Sequence, residues 1–130
     1  LRVIPEFTAS VVSLPLAEAM NRTSRALAPG VSEYTDAGLH TAPSERVRPP
    51  RVREARAALE CVVFDIVALP ARAHGRGSHL VLAEVVGIHI DESVIVDGIV
   101  DERLLEPLTR LGYMNYGTLG EVFAMQRPGG

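Results

Sequence analysis

The sequence predicts a mainly β domain with short helices, and three observations carry that reading. Leu80 to Ile90 alternates at period two, with Leu80, Leu82, Val86, Ile88 and Ile90 on one face, as a strand with one covered side requires. Asp97-Gly98 lies between Val94-Ile95-Val96 and Ile99-Val100 and supplies the positive φ angles of a type I′ hairpin turn. Apolar residues make up 47% of the chain while aromatics are only 5% and Trp is absent, so the core is built from Val, Leu, Ile and Ala, a set that suits a sheet.

A chain of 130 residues has the length of one compact domain. Phe7 to Leu14 is rich in β-branched residues and reads as a strand, closed by Pro15, which donates no ladder hydrogen bond. Residues 15 to 21 then turn helical: Leu16, Ala19 and Met20 share a face, and Pro15 is tolerated in the first turn. From 29 to 50 the chain is rich in Gly, Pro, Ser and Thr and reads as a surface excursion with a helical turn around Ser32 to Ala37. Arg46, Arg48, Arg51, Arg53 and Arg56 form a basic run around Pro49-Pro50, either a solvated extended face or an anion site.

Leu59 to Leu69 reads as a second strand, covered on most of both faces, with Cys61 inside it and Glu60 and Asp65 its only charges. His74 to His79 is polar and Gly-rich and forms a hairpin-like connection that puts His79 at the mouth of the Leu80–Ile90 strand. Glu84 interrupts that strand's apolar alternation, and a carboxylate buried there requires a partner. Asp101 is placed to cap a helix from 101 to 111, with Leu104, Leu105, Leu108 and Leu111 as its stripe and Gly112 as its end. Tyr113, Tyr116, Leu119, Val122 and Phe123 follow as a final turn and strand before a frayed end.

Charge and special residues narrow the function classes. A net charge of -3 argues against a nucleic-acid surface, and because no Lys occurs, phosphate recognition falls to guanidinium groups or backbone. The single Cys61 has no intrachain partner, and no leader or membrane-length apolar run is present, so a reducing cytoplasm is the expected location. Cys61 has no base nearby in sequence and reads as structural rather than nucleophilic. His74, His79 and His89 lack metal-ligand spacing, so no metal site is expected. Gly75-Arg76-Gly77 lies between strands instead of opening a helix, which excludes a dinucleotide-binding loop.

A succession of short pieces then carries a family resemblance. In order they are Glu18-Ala19-Met20-Asn21-Arg22-Thr23-Ser24, Val47-Arg48-Pro49-Pro50, Leu59-Glu60-Cys61 and Gly77-Ser78-His79-Leu80-Val81-Leu82-Ala83-Glu84-Val85-Val86. Asp97-Gly98, Pro107-Leu108-Thr109-Arg110-Leu111-Gly112, Tyr116 and Arg127-Pro128 continue it. Together they resemble the flavin reductase-like family, whose members include flavoredoxins and the reductase component of nitrilotriacetate monooxygenase. The resemblance implies an FMN-binding split β-barrel that forms a homodimer, with FMN or FAD near the subunit interface, NAD(P)H as co-substrate, and reduced flavin passed to a monooxygenase partner. A non-catalytic flavin-binding or dimerisation module is the alternative.

Two departures from the family pattern shape the expectations. The N-terminal strands with an Asn-x-Ala-Pro-type stretch are not recognisable, and Phe7–Leu14 has no preceding segment to pair with, so residues 1–130 are expected to be the C-terminal part of such a domain. Ala83 stands where the family's strand often has Gly. No catalytic side chain is required, since flavin and nicotinamide carry the hydride chemistry. The residues that the resemblance implies for flavin binding are Asn21, Arg22, Thr23 and Ser24 as a phosphate-anchoring set, His79 at the flavin edge or nicotinamide, and Arg110, Tyr113 and Tyr116 at and beyond the end of the 101–111 segment. From the residues alone, a helix-ending polar turn, a surface His and space-filling Tyr rings remain the plainer readings.

Overall fold

A computed structural model describes residues 1–70 and 77–129. Three antiparallel strands form the central sheet in the order β1 (Glu6–Ser10), β4 (Ala57–Ala68), β5 (His79–Ile90). Around it lie α1 (Ala17–Arg22), α2 (Glu33–Ala37) and α3 (Glu102–Leu105). Three short ribbons complete the fold: β2 (Thr41–Ala42) with β3 (Arg51–Val52), β6 (Ile95–Val96) with β7 (Ile99–Val100), and β8 (Thr109–Arg110) with β9 (Tyr116–Gly117). The mainly β composition matches the sequence reading. Among the described residues, no helix is long and apolar enough to cross a membrane.

The first strand is shorter than its apolar run. It pairs with β4 from Glu6↔Val62 to Ser10↔Ala58, after which Ser13 bridges to Pro107 and Leu14–Leu16 forms a 3-10 turn leading into α1. Pro15 occupies the first turn of that helical segment, where a missing N–H leaves no bond unmade.

β4 and β5 pair along their whole lengths, but the ladder shifts register twice, between Glu60 and Cys61 and between Val63 and Asp65. Each shift inserts an extra residue and reverses which side chains face inward. The even-numbered apolar residues of β5 therefore do not share one buried face: Ile88 is 64% exposed and Ile90 40% exposed, while Gly87 and His89 turn inward. Glu84 is exposed and needs no buried partner; the buried carboxylate belongs to Glu60 on β4. The expected cover over both faces of β4 does not extend along the whole strand: Phe64 is 70% exposed and Val67 40% exposed.

The hairpin around Asp97-Gly98 forms as expected, with φ of 51° and 79° at the two turn residues. The helix expected over 101–111 is corrected to one turn. Asp101 does cap it, accepting the Arg103 N–H at 2.8 Å, but Glu106 already adopts a left-handed conformation (φ 51°, ψ 47°). Pro107 is the physical reason: its ring disfavours helical geometry at the preceding residue and it has no N–H to continue the ladder. Leu108 and Leu111 consequently lie beyond the helix, and Gly112 falls in the β8–β9 connection rather than at a helix end. Of the expected His74–His79 connection, residues 74–76 lie outside the described residues, while Leu69 N–H donates to Ser78 O at 2.8 Å across its base.

Candidate functional site

α1 and the β8–β9 ribbon face each other across an open cavity of about 720 Å³. Backbone bonds fix their separation: Leu14 N–H donates to Glu106 O at 2.9 Å and Leu108 N–H to Val12 O at 2.8 Å, on either side of the Ser13–Pro107 bridge. α1 contributes Ala17, Glu18, Met20 and Asn21, and the opposite wall contributes Leu108, Arg110, Met114 and Tyr116. The volume falls within the range of small-molecule and cofactor sites, and its mostly apolar lining with a few polar groups is the usual composition of such sites.

Arg110 organises the ribbon side. Its guanidinium lies 4.7 Å from the centroid of the Tyr116 ring, donates to Asn115 O at 2.9 Å, and also donates to Tyr113 O. A flat cation on an aromatic face, with carbonyls holding the fork, produces a stiff polar wall beside the methionines. Tyr113, whose carbonyl serves this purpose, has a left-handed backbone (φ 58°) and a side chain 95% exposed.

The eight residues implied by the resemblance separate into two groups. Asn21, Arg110 and Tyr116 line the cavity. Thr23 and Ser24 turn their hydroxyls back onto their own helix, donating to Met20 O and Asn21 O at 2.7 Å each, and Thr23 lines a smaller adjoining cavity of about 180 Å³. Arg22, Ser24, Tyr113 and His79 are exposed and line neither of these two cavities. Glu18, Met20, Leu108 and Met114 were not anticipated. In sequence Met20 and Leu108 show only as members of apolar helical stripes, and the wall they form arises when residues almost 90 positions apart meet.

The strongest electrostatic arrangement lies elsewhere, on the sheet. Glu60 is fully buried and accepts N–H bonds from Glu45 (2.8 Å), Arg46 (2.6 Å) and Val47 (3.0 Å) as well as a bond from His89 Nε2. Burial alone pushes the carboxyl up; the backbone N–H of Glu45, the His89 ring and the two further N–H groups overcome it and hold the group at about 2. Gly87 sits opposite Glu60 in the ladder, and a Cβ there would come within 3.3 Å of Arg46 Cγ, so the missing side chain leaves room for the loop. These residues lock residues 45–47 onto the sheet. Cys61 beside them is buried, and burial raises its thiol, as a structural cysteine requires.

Comparison with known proteins agrees with this architecture. The sequence pattern of the flavin reductase like domain matches residues 2–110, so the likeness is not confined to a C-terminal stretch. An uncharacterized protein of Halalkalibacterium halodurans is 34% identical over 125 residues, covering 96% of this chain and 60% of its own length. Among solved structures, nitrilotriacetate monooxygenase component B of Bacillus cereus is 30% identical with a TM-score of 0.86, over 95% of this chain and 61% of that one. A split-barrel protein of Shewanella frigidimarina NCIMB 400 superposes with a TM-score of 0.79 at 20% identity, over 95% and 61% of the two chains, and shows the fold alone. The chain thus spans about 60% of the length of the relatives it matches. With the split-barrel fold and a match over most of its length, the chain belongs to the flavin reductase like family.

Proposed function

We propose that the cavity between α1 and the β8–β9 ribbon binds flavin, FMN in the first instance and FAD as the variant, and that the whole protein reduces it with NAD(P)H. The observation that carries the reading is the convergence of Asn21, Arg110 and Tyr116, three residues singled out by the family pattern, on one cavity of about 720 Å³. The donors suit the group: Tyr116 with Met20 and Met114 offers an aromatic and thioether surface for a flat ring, and the Asn21 amide offers both donor and acceptor. A bound flavin accepts hydride from a reduced nicotinamide, so this chain's residues need only bind, orient and exclude water. Arg110, held by the Asn115 and Tyr113 carbonyls, supplies positive charge beside the ring position.

Assembly belongs to the same reading. The exposed Phe64, Val85 and Ile88 on the β4–β5 arm supply apolar surface for a homodimer, and the likeness to nitrilotriacetate monooxygenase component B supports a monooxygenase as recipient of reduced flavin. The buried free thiol of Cys61 supports a reducing cytoplasm. The exposed β4–β5 surface equally favours the second reading, a flavin-binding or dimerisation module without turnover.

The test is a titration of the 130-residue chain with FMN and FAD by fluorescence quenching, with NADH and NADPH oxidation followed in the same samples. Saturable binding with turnover is the expected result. Saturable binding without turnover selects the module, and absence of flavin binding by the chain and by a full-length relative rejects both.

A further inference from the structure

The arginine run read from the sequence is not used by the flavin cavity. Its members divide by partner: Arg48 pairs with Glu6 at 3.2 Å, and Arg56 donates to Leu104 O and pairs with Glu106 at 2.9 Å. Arg51 and Arg53 have no carboxylate partner among the described residues, and Arg51 Nε is buried with no hydrogen-bond partner.

The fold gathers these groups. Arg51 lies on β3, the turn after β3 carries Arg53, and the chain enters β4 beside Arg56. The pairing Ala58↔His89, with Asp91 N–H donating to Arg56 O at 2.8 Å, sets the end of β5 against that turn. Between them lies a cavity of about 290 Å³ lined by Arg51, Arg53, Arg56, His89 and Asp91 together with Ala55 and Ile90. Asp91 is the only carboxylate among the described residues that line it, and it already accepts the Ser93 N–H at 2.9 Å. Glu54, the nearest acid in sequence, is engaged by His40.

We infer that this cavity is an oxyanion site that takes a phosphate group, held by Arg51 and Arg53 and bordered by Arg56 and His89. An unpartnered buried guanidinium N–H is costly, and guanidinium forks match a tetrahedral oxyanion in two-point contact. The space suits a single phosphate group rather than a whole dinucleotide. The site shares no lining residue with the flavin cavity and does not depend on it.

The test is calorimetric titration of the 130-residue chain with inorganic phosphate at constant ionic strength, with chloride as the balancing anion. Saturable binding is expected, weakened by about tenfold in Arg51→Gln and in Arg53→Gln, since each removes a charge-assisted contact. Arg25→Gln, which removes a pair with Asp36 elsewhere, keeps the original affinity. Adenosine 2′-phosphate binding more tightly than inorganic phosphate assigns a nucleotide phosphate as the source; weaker binding assigns the free ion. Heat no different from chloride alone overturns the site, and so does an exposed-residue variant, Arg53→Gln, that folds and binds phosphate as the parent does.

Discussion

Glu60 and His89 stand on neighbouring strands, two register steps apart and so on one face of the sheet, and His89 Nε2 meets the Glu60 carboxylate where three backbone N–H groups of residues 45–47 also converge. A charge at this depth is tolerated only because all its acceptor capacity is engaged. The pair joins the sheet to the loop that leads to β3, and so holds the base on which Arg51 and Arg53 are presented.

Acid stability is expected to follow from Glu60. Its carboxyl is held at about 2 against an ordinary 4.5, so the folded state binds its proton less readily than the unfolded chain. The stabilisation is fully present above 4.5 and is lost as pH falls toward 2. Glu60→Gln places an amide NH₂ among backbone donors and is expected to cost about 3 kcal/mol at neutral pH. Thermal melts between pH 2 and pH 5 check this: the parent's melting temperature falls steeply across the window and the variant's curve is flatter. Parallel curves for the two proteins contradict the assignment.

The elements legible in sequence were those fixed by local chemistry. β4, β5 and the Asp97-Gly98 turn follow from β-branched runs and a dipeptide that accepts positive φ. The helix length was misread because the Leu104, Leu105, Leu108 and Leu111 spacing outweighed Pro107, whose ring decides the matter within one residue. The face of β5 departs from the period-two reading because Val86 is an extra residue in that strand, a bulge that an alternating pattern does not reveal. In the site, Asn21, Arg110 and Tyr116 came from the family pattern. Glu60's role is not legible in sequence, since three of its donors are backbone groups 13 to 15 residues away that carry no side-chain signature and the fourth, His89, lies 29 residues away on another strand.

Asp101 gives a test of local against tertiary stabilisation. Its carboxylate accepts the Arg103 N–H, and Leu104 and Leu105 N–H both donate to its carbonyl, so the side chain caps a single-turn helix. Asp101→Ala is expected to cost about 1 kcal/mol. Urea denaturation checks this through a lowered midpoint with an unchanged slope; a change in slope indicates instead that the region beyond α3 has come loose.

Cys61 is expected to be inert in the native protein. It is buried between β1 and β5, pairs with Phe7 and Val85 in the ladder, and burial raises its thiol above the ordinary range. Reaction with an aromatic disulfide reagent near neutral pH proceeds through transient opening, at least about tenfold slower than in denaturant. Rapid stoichiometric labelling of the folded chain contradicts the burial described for β4.

Flavin affinity separates the residues that line the cavity from those that only share its sequence neighbourhood. Tyr116→Ala removes both the aromatic surface and the platform beneath Arg110, and about tenfold weaker flavin binding is expected, the equivalent of 1.4 kcal/mol. Asn21→Ala removes the amide on the α1 wall and is expected to weaken binding in the same direction. Arg22→Ala and His79→Ala, whose side chains line neither adjoining cavity, are expected to bind flavin within about twofold of the parent, as surface substitutions remote from a site generally do. Fluorescence titration of the four variants reads the order directly. If Arg22→Ala and His79→Ala lose binding while Asn21→Ala and Tyr116→Ala keep it, the flavin lies outside this cavity.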